Sequence, residues 1–177
     1  MKSSRFMVAC LMISVCVLVA PQVRGADKMD EEVQEAVATF KKADAELEVF
    51  FKSAKGYVVF PSVAKGGIGV GAARGRGQVF AGDMKIGRAT LTQASIGLQL
   101  GGQVYSELIF FETEKAFEDF KASKMEFSAQ VSAVAAAEGA SKNAKYQQGV
   151  AVFTLAKGGL MYEASVGGQK FKFEADK

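Results

Sequence analysis

The sequence predicts an α+β fold: an antiparallel, strongly coiled β-sheet or barrel-like sandwich, with an N-terminal amphipathic helix and one short inserted helix. Three observations carry that expectation. Before Gly56, apolar residues recur every three or four positions, the period of one helix face. After it they alternate every second position, the period of a strand. Between Gly67 and Gly77, glycine takes nearly every other place in a run that otherwise reads as β.

The helical stripe runs from Asp30 to about Ala54 through Val33, Val37, Phe40, Leu47, Phe51 and Ala54. Asp30, Glu31 and Glu32 suit its N-terminal end, and Lys52 and Lys55 the other, because each complements the helix dipole there. Asp44 sits where the stripe wants an apolar residue, so a kink or break is expected near Ala43–Ala45. Gly56 is expected to close the helix as a C-cap.

The stretch "VVFPSVAKGGIGVGAARGRGQVF", residues 58–80, divides by parity. Gly67, Gly69, Gly71, Ala73, Gly75 and Gly77 alternate with Ile68, Val70, Ala72, Arg74, Arg76 and Gln78, so one strand face is nearly bare backbone. Glycine weakens a strand unless something must approach the backbone closely. Gly69 and Gly71 are therefore expected where no side chain fits. Gly67, Gly69 and Ala72 match G-x-G-x-x-A, but more strand follows where a dinucleotide fingerprint must open a helix, and that excludes a nucleotide site.

"AKGGIGVGAARG" at Ala64 aligns without gaps on "AKGGLMYEASVG" at Ala156, each preceded by a Val-Phe pair. Related β-hairpins follow as the expectation, with Lys-Gly-Gly at the turn or just after it. "KIGRATLTQASIGLQLGGQ" and "VYSELIFF" read as two further strands. In the first, Gln93, Ser95, Gly97, Gln99, Gly101 and Gln103 alternate against Ala94, Ile96, Leu98 and Leu100. "ETEKAFEDFKAS" reads as a short helix with Thr113 as N-cap and Phe117 and Phe120 inward. "MEFSAQVSAVAAAEG" reads as a strand, "ASKNAKYQQG" as a surface loop, and "VAVFTLA", "LMYEASVGG" and "QKFKFEA" as the remaining strands.

Lys2 and Arg5 precede an apolar run from Phe6 to Ala20, and Val23 and Gly25 precede Ala26 at the −3 and −1 positions. That is the anatomy of a secretory signal peptide, its apolar run shorter than the roughly 20 residues a spanning helix needs. The expected organisation is residues 1–25 as signal peptide, 26–56 as a helical segment and 57–177 as a glycine-rich β domain, with the product periplasmic or extracellular. Both cysteines, Cys10 and Cys16, fall in the leader. The mature chain then cannot rely on disulfides and must be held by its core. With no histidine in the sequence and no cysteine left, His-based triads, thiol chemistry and Cys/His zinc sites are excluded.

Charge is unevenly placed. Segment 26–56 carries eight acidic and five basic residues, whereas 57–106 carries Lys65, Arg74, Arg76, Lys85 and Arg88 against Asp83 alone. These five are the candidate anion-binding residues. Arg74 and Arg76 fall on the parity opposite the glycines, where buried guanidiniums would lack partners, so the strand is expected to leave the core there and turn around Gly75–Gly77.

"GYVVFPSVAKGGIGVGAARGRGQV", "LTQASIGLQLGGQVYSELIFF" and "GVAVFTLAKGGLMYEASVGGQKF" closely resemble the SYLF domain, also called the Ysc84 actin-binding domain, over about Val33 to Glu174. The resemblance implies a non-enzymatic lipid-binding module that needs no cofactor, with anionic phospholipid or a membrane surface as partner. Actin is an improbable partner for an exported chain, and nucleic acid fits neither the leader nor the absence of an aromatic-interleaved basic platform. The competing reading is an envelope structural or protein-interaction domain with no specific lipid. Ionic strength discriminates the two, because electrostatic docking weakens with salt and an apolar protein interface does not.

Overall fold

The computed structural model describes residues 24–128, 131–157 and 166–176, leaving aside the side chains of 24–27, 68–69 and 95–101. Residues 1–23, nearly all of the expected leader, and most of "LMYEASVGG" lie outside the described residues. Helix α1 spans Arg24–Ala43, a 3₁₀ turn spans Ala45–Leu47, and α2 spans Glu48–Ser53. The break falls at Asp44, as the interrupted stripe predicts. Asp44 is extended and buried; its carboxylate accepts from the Glu46 amide at 3.1 Å and from the Ser141 amide at 2.7 Å. Burial opposes its charge, yet the hydrogen bonds from Ser141 and Glu46 hold its carboxyl below the usual carboxylate range. Gly56 does not cap the helix. Ala54 does so in extended conformation, and Gly56 is already strand, where a Cβ would collide with the Phe117 ring.

Strand β1 spans Gly56–Ala81 and β2 spans Met84–Phe111. They pair antiparallel from Gly56↔Phe111 to Ala81↔Met84 around a tight turn at Gly82–Asp83. Two expectations are corrected here. Lys65-Gly66-Gly67 and Gly75–Gly77 are not turns but lie inside one strand, and the two runs from Lys85 to Phe111 are also one strand. The local cues were turn-like because glycine marks both turns and strand irregularities. Here the register shifts between Ile68 and Val70, where a Cβ on Gly67 would collide with the Val70 carbonyl oxygen.

Around this irregularity the β1–β2 ribbon folds back on itself. A Cβ on Gly77 would strike the Val59 carbonyl oxygen, and one on Gly75 would lie 2.8 Å from Val63 Cγ2 and 3.2 Å from the Ser62 carbonyl oxygen. The glycine face therefore points inward, against the first half of the same strand. Val58, Phe60 and Val63 from the near half share a core with Val79, Ala89 and Leu91 from the far half. Close backbone approach is the purpose of the alternating glycines, here at Gly75 and Gly77; the Gly69 side of the expectation falls outside the described side chains.

Helix α3 spans Glu114–Lys121, with Thr113 Oγ1 accepting from the Ala116 amide and Phe117 and Phe120 buried in that core. Among the described residues of the stretch read as a strand after it, only β3, Ala133–Ala135, is one, with an isolated bridge from Glu126 to Lys170. The supposed loop after Gly139 holds a 3₁₀ turn at Ala140–Asn143 with Ser141 buried against Asp44. Strand β4 spans Val150–Ala156 and β5 spans Gln169–Ala175.

The sheet order is β1-β2-β4-β3, with β5 also on β2. β2 is the axis: β1 lies along one edge, while β5 covers residues 87–93 and β4 residues 105–111 of the other. All these pairs are antiparallel. β3 alone runs parallel to β4, because the connection 136–149 is long enough for the crossover that a parallel pair requires. A second core forms outside the near half of the ribbon, where α1 and α2 lay Val33, Phe40, Leu47 and Phe50 over Val59, Leu108, Phe110 and Phe153.

Candidate functional site

The helices cover the near half of the outer face and, through Asp30 of α1, the Gln78 and Lys85 end of the far half, leaving the stretch between open. Along β1 the outward side chains are Arg74 and Arg76, with Thr92 and Thr90 opposite them on β2. β5 adds Lys170 beside Thr92, Lys172 beside Thr90 and Glu174 beside Arg88. Arg74, Arg76, Arg88 and Lys172 line one open hollow of about 450 Å³, with Met29 of α1 at its margin. Residues two apart on one strand face have Cα atoms about 7 Å from each other, within reach of a common ligand for two arginines. That spacing suits an anion with several oxygens, which Arg engages by paired hydrogen bonds and Lys as a point charge.

Three of the five sequence-predicted residues thus meet. Arg74 and Arg76 are exposed and form no ion pair among the described residues. Arg88 Nε lies 3.9 Å from Asp176 Oδ1, a weak exposed contact. The expected route to this exposure was wrong: β1 does not leave the core at Arg74, but presents Ala72, Arg74 and Arg76 to solvent while its odd-numbered glycine face stays buried. Lys85 lies next to Arg88 but is engaged, 3.1 Å from Asp30 Oδ1 and 3.9 Å from Asp176 Oδ2. Asp30 also accepts from Gln78, and the hydrogen bonds from Gln78 and Lys85 hold its carboxyl low. Lys85 is therefore an anchor for α1. Lys65 is elsewhere, opposite Gln103 near the other end of β1, where desolvation lowers its pKa and the charge of Glu107 raises it.

Lys170 and Lys172 were missed. Their alternation with Phe171 and Phe173 was visible in "QKFKFEA", but the β2–β5 register that brings them to Arg88 was not. Ion pairs of 3.4 Å to Glu126 and 2.7 Å to Glu174 moderate both.

Also unforeseen is a polar cluster inside the fold. Glu107 is fully buried, and Gln169 Nε2 donates to its Oε2 at 2.9 Å. Burial pushes the Glu107 carboxyl up to about 8, against the pull of Gln169, Lys65 and Tyr105. Tyr105 is pushed up by its own burial and by Glu107. Glu107 Oε1, Gln169 Oε1 and the Tyr105 hydroxyl have no hydrogen-bond partner among the described residues. Gln93, on the same inward face, donates from Nε2 to the Gly167 carbonyl oxygen at 2.8 Å.

Comparison with known proteins adds two findings. The family described as Ysc84, Las17-binding protein actin regulator, matches residues 92–177, a span that includes Lys170 and Lys172 but begins after Arg88. Beta cell expansion factor A of Aeromonas veronii is 30% identical over 132 residues, covering 73% of this chain and 49% of that protein. The chain spans about half the length of this curated relative. With its C-terminal half matched by the family model and most of its length aligned to that relative, the chain belongs to the Ysc84, or SYLF, family.

Proposed function

We propose that this chain is a non-enzymatic binding module that docks anionic phospholipid surfaces through Arg74, Arg76 and Arg88, with Lys172 beside them. The observation that carries the reading is the open half-sheet: three arginines and a lysine line one hollow against a single carboxylate, Glu174, with only Met29 of α1 at its margin. Family membership supports a binding module of the lipid- or actin-binding type rather than an enzyme. Phosphate chemistry favours the lipid, because unpaired guanidiniums at strand spacing present paired donors to phosphate oxygens. Each basic residue near an anionic leaflet contributes about 1 kcal/mol, so this face gives weak, salt-sensitive attachment. Lys85 and Lys65 stand outside it, the first holding α1 and the second facing Glu107.

The proposal keeps the cleaved leader and an envelope location, on the strength of residues 1–25. N-terminal sequencing of exported material should start near Ala26; an intact leader would overturn that part. For the lipid, the test is co-sedimentation with vesicles of phosphatidylglycerol in phosphatidylcholine against phosphatidylcholine alone, at low and moderate salt. Binding only to the anionic vesicles, weakened by salt, is expected. Equal binding to both, or none to either, contradicts the reading and returns the face to the envelope-partner alternative.

A further inference from the structure

Isolated exposed valines and methionines mean little, because much of any protein surface is apolar. Val49 and Met84 are of that kind. Val70 is different. It is 67% exposed at the apolar end of the outward face that carries Arg74 and Arg76. The outward positions of β1 run Val70, Ala72, Arg74, Arg76, and those of β2 run Ala94, Thr92, Thr90, Arg88. Beyond the irregularity, exposed Ala64 and Val104 pair across the same ribbon. Behind this face lies an apolar core that includes Val63, Ala73 and Leu91, with Gln93, Tyr105 and Glu107 set into it as a small polar cluster. The water-facing side of a half-buried sheet is ordinarily polar, so a run of exposed apolar residues on it calls for a partner of its own.

We propose that the outward Val70, Ala72 and Ala94 surface, with Ala64 and Val104 across the bend, enters the acyl region of an anionic bilayer as a shallow wedge. The inference rests on the lipid-docking reading and deepens it. Charge complementarity selects the occupant. Moving along the face from Val70, a membrane would meet Ala72 and Ala94, then Arg74 and Arg76 with Thr92 and Thr90 beside them, and then Arg88, hydrocarbon first and phosphate after it. Val70 and Arg74 are four residues apart, about 13 Å along a strand, so with Arg74 at the phosphates the wedge reaches only the upper part of a core about 30 Å thick. Depth is also limited by β1 itself. It is an edge strand, and its unpaired backbone groups cannot enter hydrocarbon without partners. The module would lie in one leaflet and not span it.

The chain contains no tryptophan, so one placed on this face reports alone. Val70→Trp should show blue-shifted emission, and strong quenching by acyl-brominated lipid, in phosphatidylglycerol-containing vesicles. Val49→Trp, on α2, should show neither. Val70→Glu should weaken vesicle binding about tenfold, the order expected from withdrawing one valine and adding a charge, with an unchanged circular dichroism spectrum. If Val70→Trp co-sediments but its emission stays water-like and unquenched, the wedge is overturned while surface docking stands. If neither Trp variant nor the wild type co-sediments, the docking reading has failed and the wedge falls with it.

Discussion

The two halves of the β1–β2 ribbon share one hydrogen-bonded pairing and have opposite surroundings. The near half, residues 56–60 with 107–111, is covered on both faces, by the interior core on one side and by α1 and α2 on the other. The far half, residues 70–79 with 87–96, is covered on its glycine side and, on the other, only at its Gln78 end, which Asp30 of α1 holds. The sequences carry the difference. "YVVF" and "ELIFF" are continuous apolar runs, the signature of strands buried on both faces. "GAARGRG" alternates minimal side chains with long cations, which suits a strand pressed against protein on one face and open on the other. Coverage thus divides labour along one ribbon: one end stabilises the fold, and the other is free to meet a partner.

The largest loss of stability expected at a fixed pH comes from breaking the contact between the halves. Gly77→Val would drive a side chain into the Val59 backbone, which cannot rotate away. Destabilisation at the top of the usual overpacking range, about 3 kcal/mol, is expected in chemical denaturation. An unchanged midpoint would mean that the halves are not packed as described.

Glu107, on the inner face of the near half, should give a pH signature of similar size. Its pKa is raised in the folded state to about 8 from an ordinary value of 4.5. Below pH 4.5 the carboxyl is protonated whether folded or not and has no linkage effect. Between 4.5 and 8 the unfolded chain releases the proton and the folded one keeps it, so stability falls as pH rises. Glu107→Gln removes that slope, and its advantage over wild type should grow to the order of 4 kcal/mol by pH 8. Parallel stability–pH curves for the two proteins would contradict the burial of the charge.

Asp44→Ala tests the cover of the near half. Two backbone amides lose their acceptor, one of them in the buried contact to Ser141. A loss of about 2 kcal/mol in thermal or chemical unfolding is expected, with vesicle binding intact. The smallest effect belongs to Gly102→Ala, where the nearest atom to a new Cβ is the Lys65 carbonyl oxygen at 3.9 Å. It should change stability by less than about 0.5 kcal/mol. A large loss there would show that glycine is needed along the whole ribbon and not only where the halves touch.

Local rules were legible where local physics decides. The three-and-four stripe gave the N-terminal helices, Asp44 gave their break, and Thr113 gave the start of α3. The alternating glycines announced a close approach but not what would approach, since the partner is the same strand some 15 residues earlier. Parity separated Arg74 and Arg76 from the glycines correctly; which face was inside depended on the fold-back, a long-range fact. The same limit explains Lys65. It was grouped with the arginines by proximity in sequence, and the ribbon places it toward Glu107 instead. It also explains Lys172, which reached the hollow through a register between strands about 80 residues apart.

The central claim is that anionic lipid is held by a face, not by the charge of the whole chain. Equal charge reversals on the two outer surfaces test it directly. Arg74→Glu with Arg76→Glu alters the open half-sheet, whereas Lys41→Glu with Lys42→Glu alters the helical cover by the same number of charges. Both proteins should keep the circular dichroism spectrum of wild type. In co-sedimentation with phosphatidylglycerol-containing vesicles at low salt, the arginine pair should lose most of its binding and the lysine pair should retain it. Equal losses in the two variants would show that net charge alone draws the protein to the membrane, and the open half-sheet would have no special part in it.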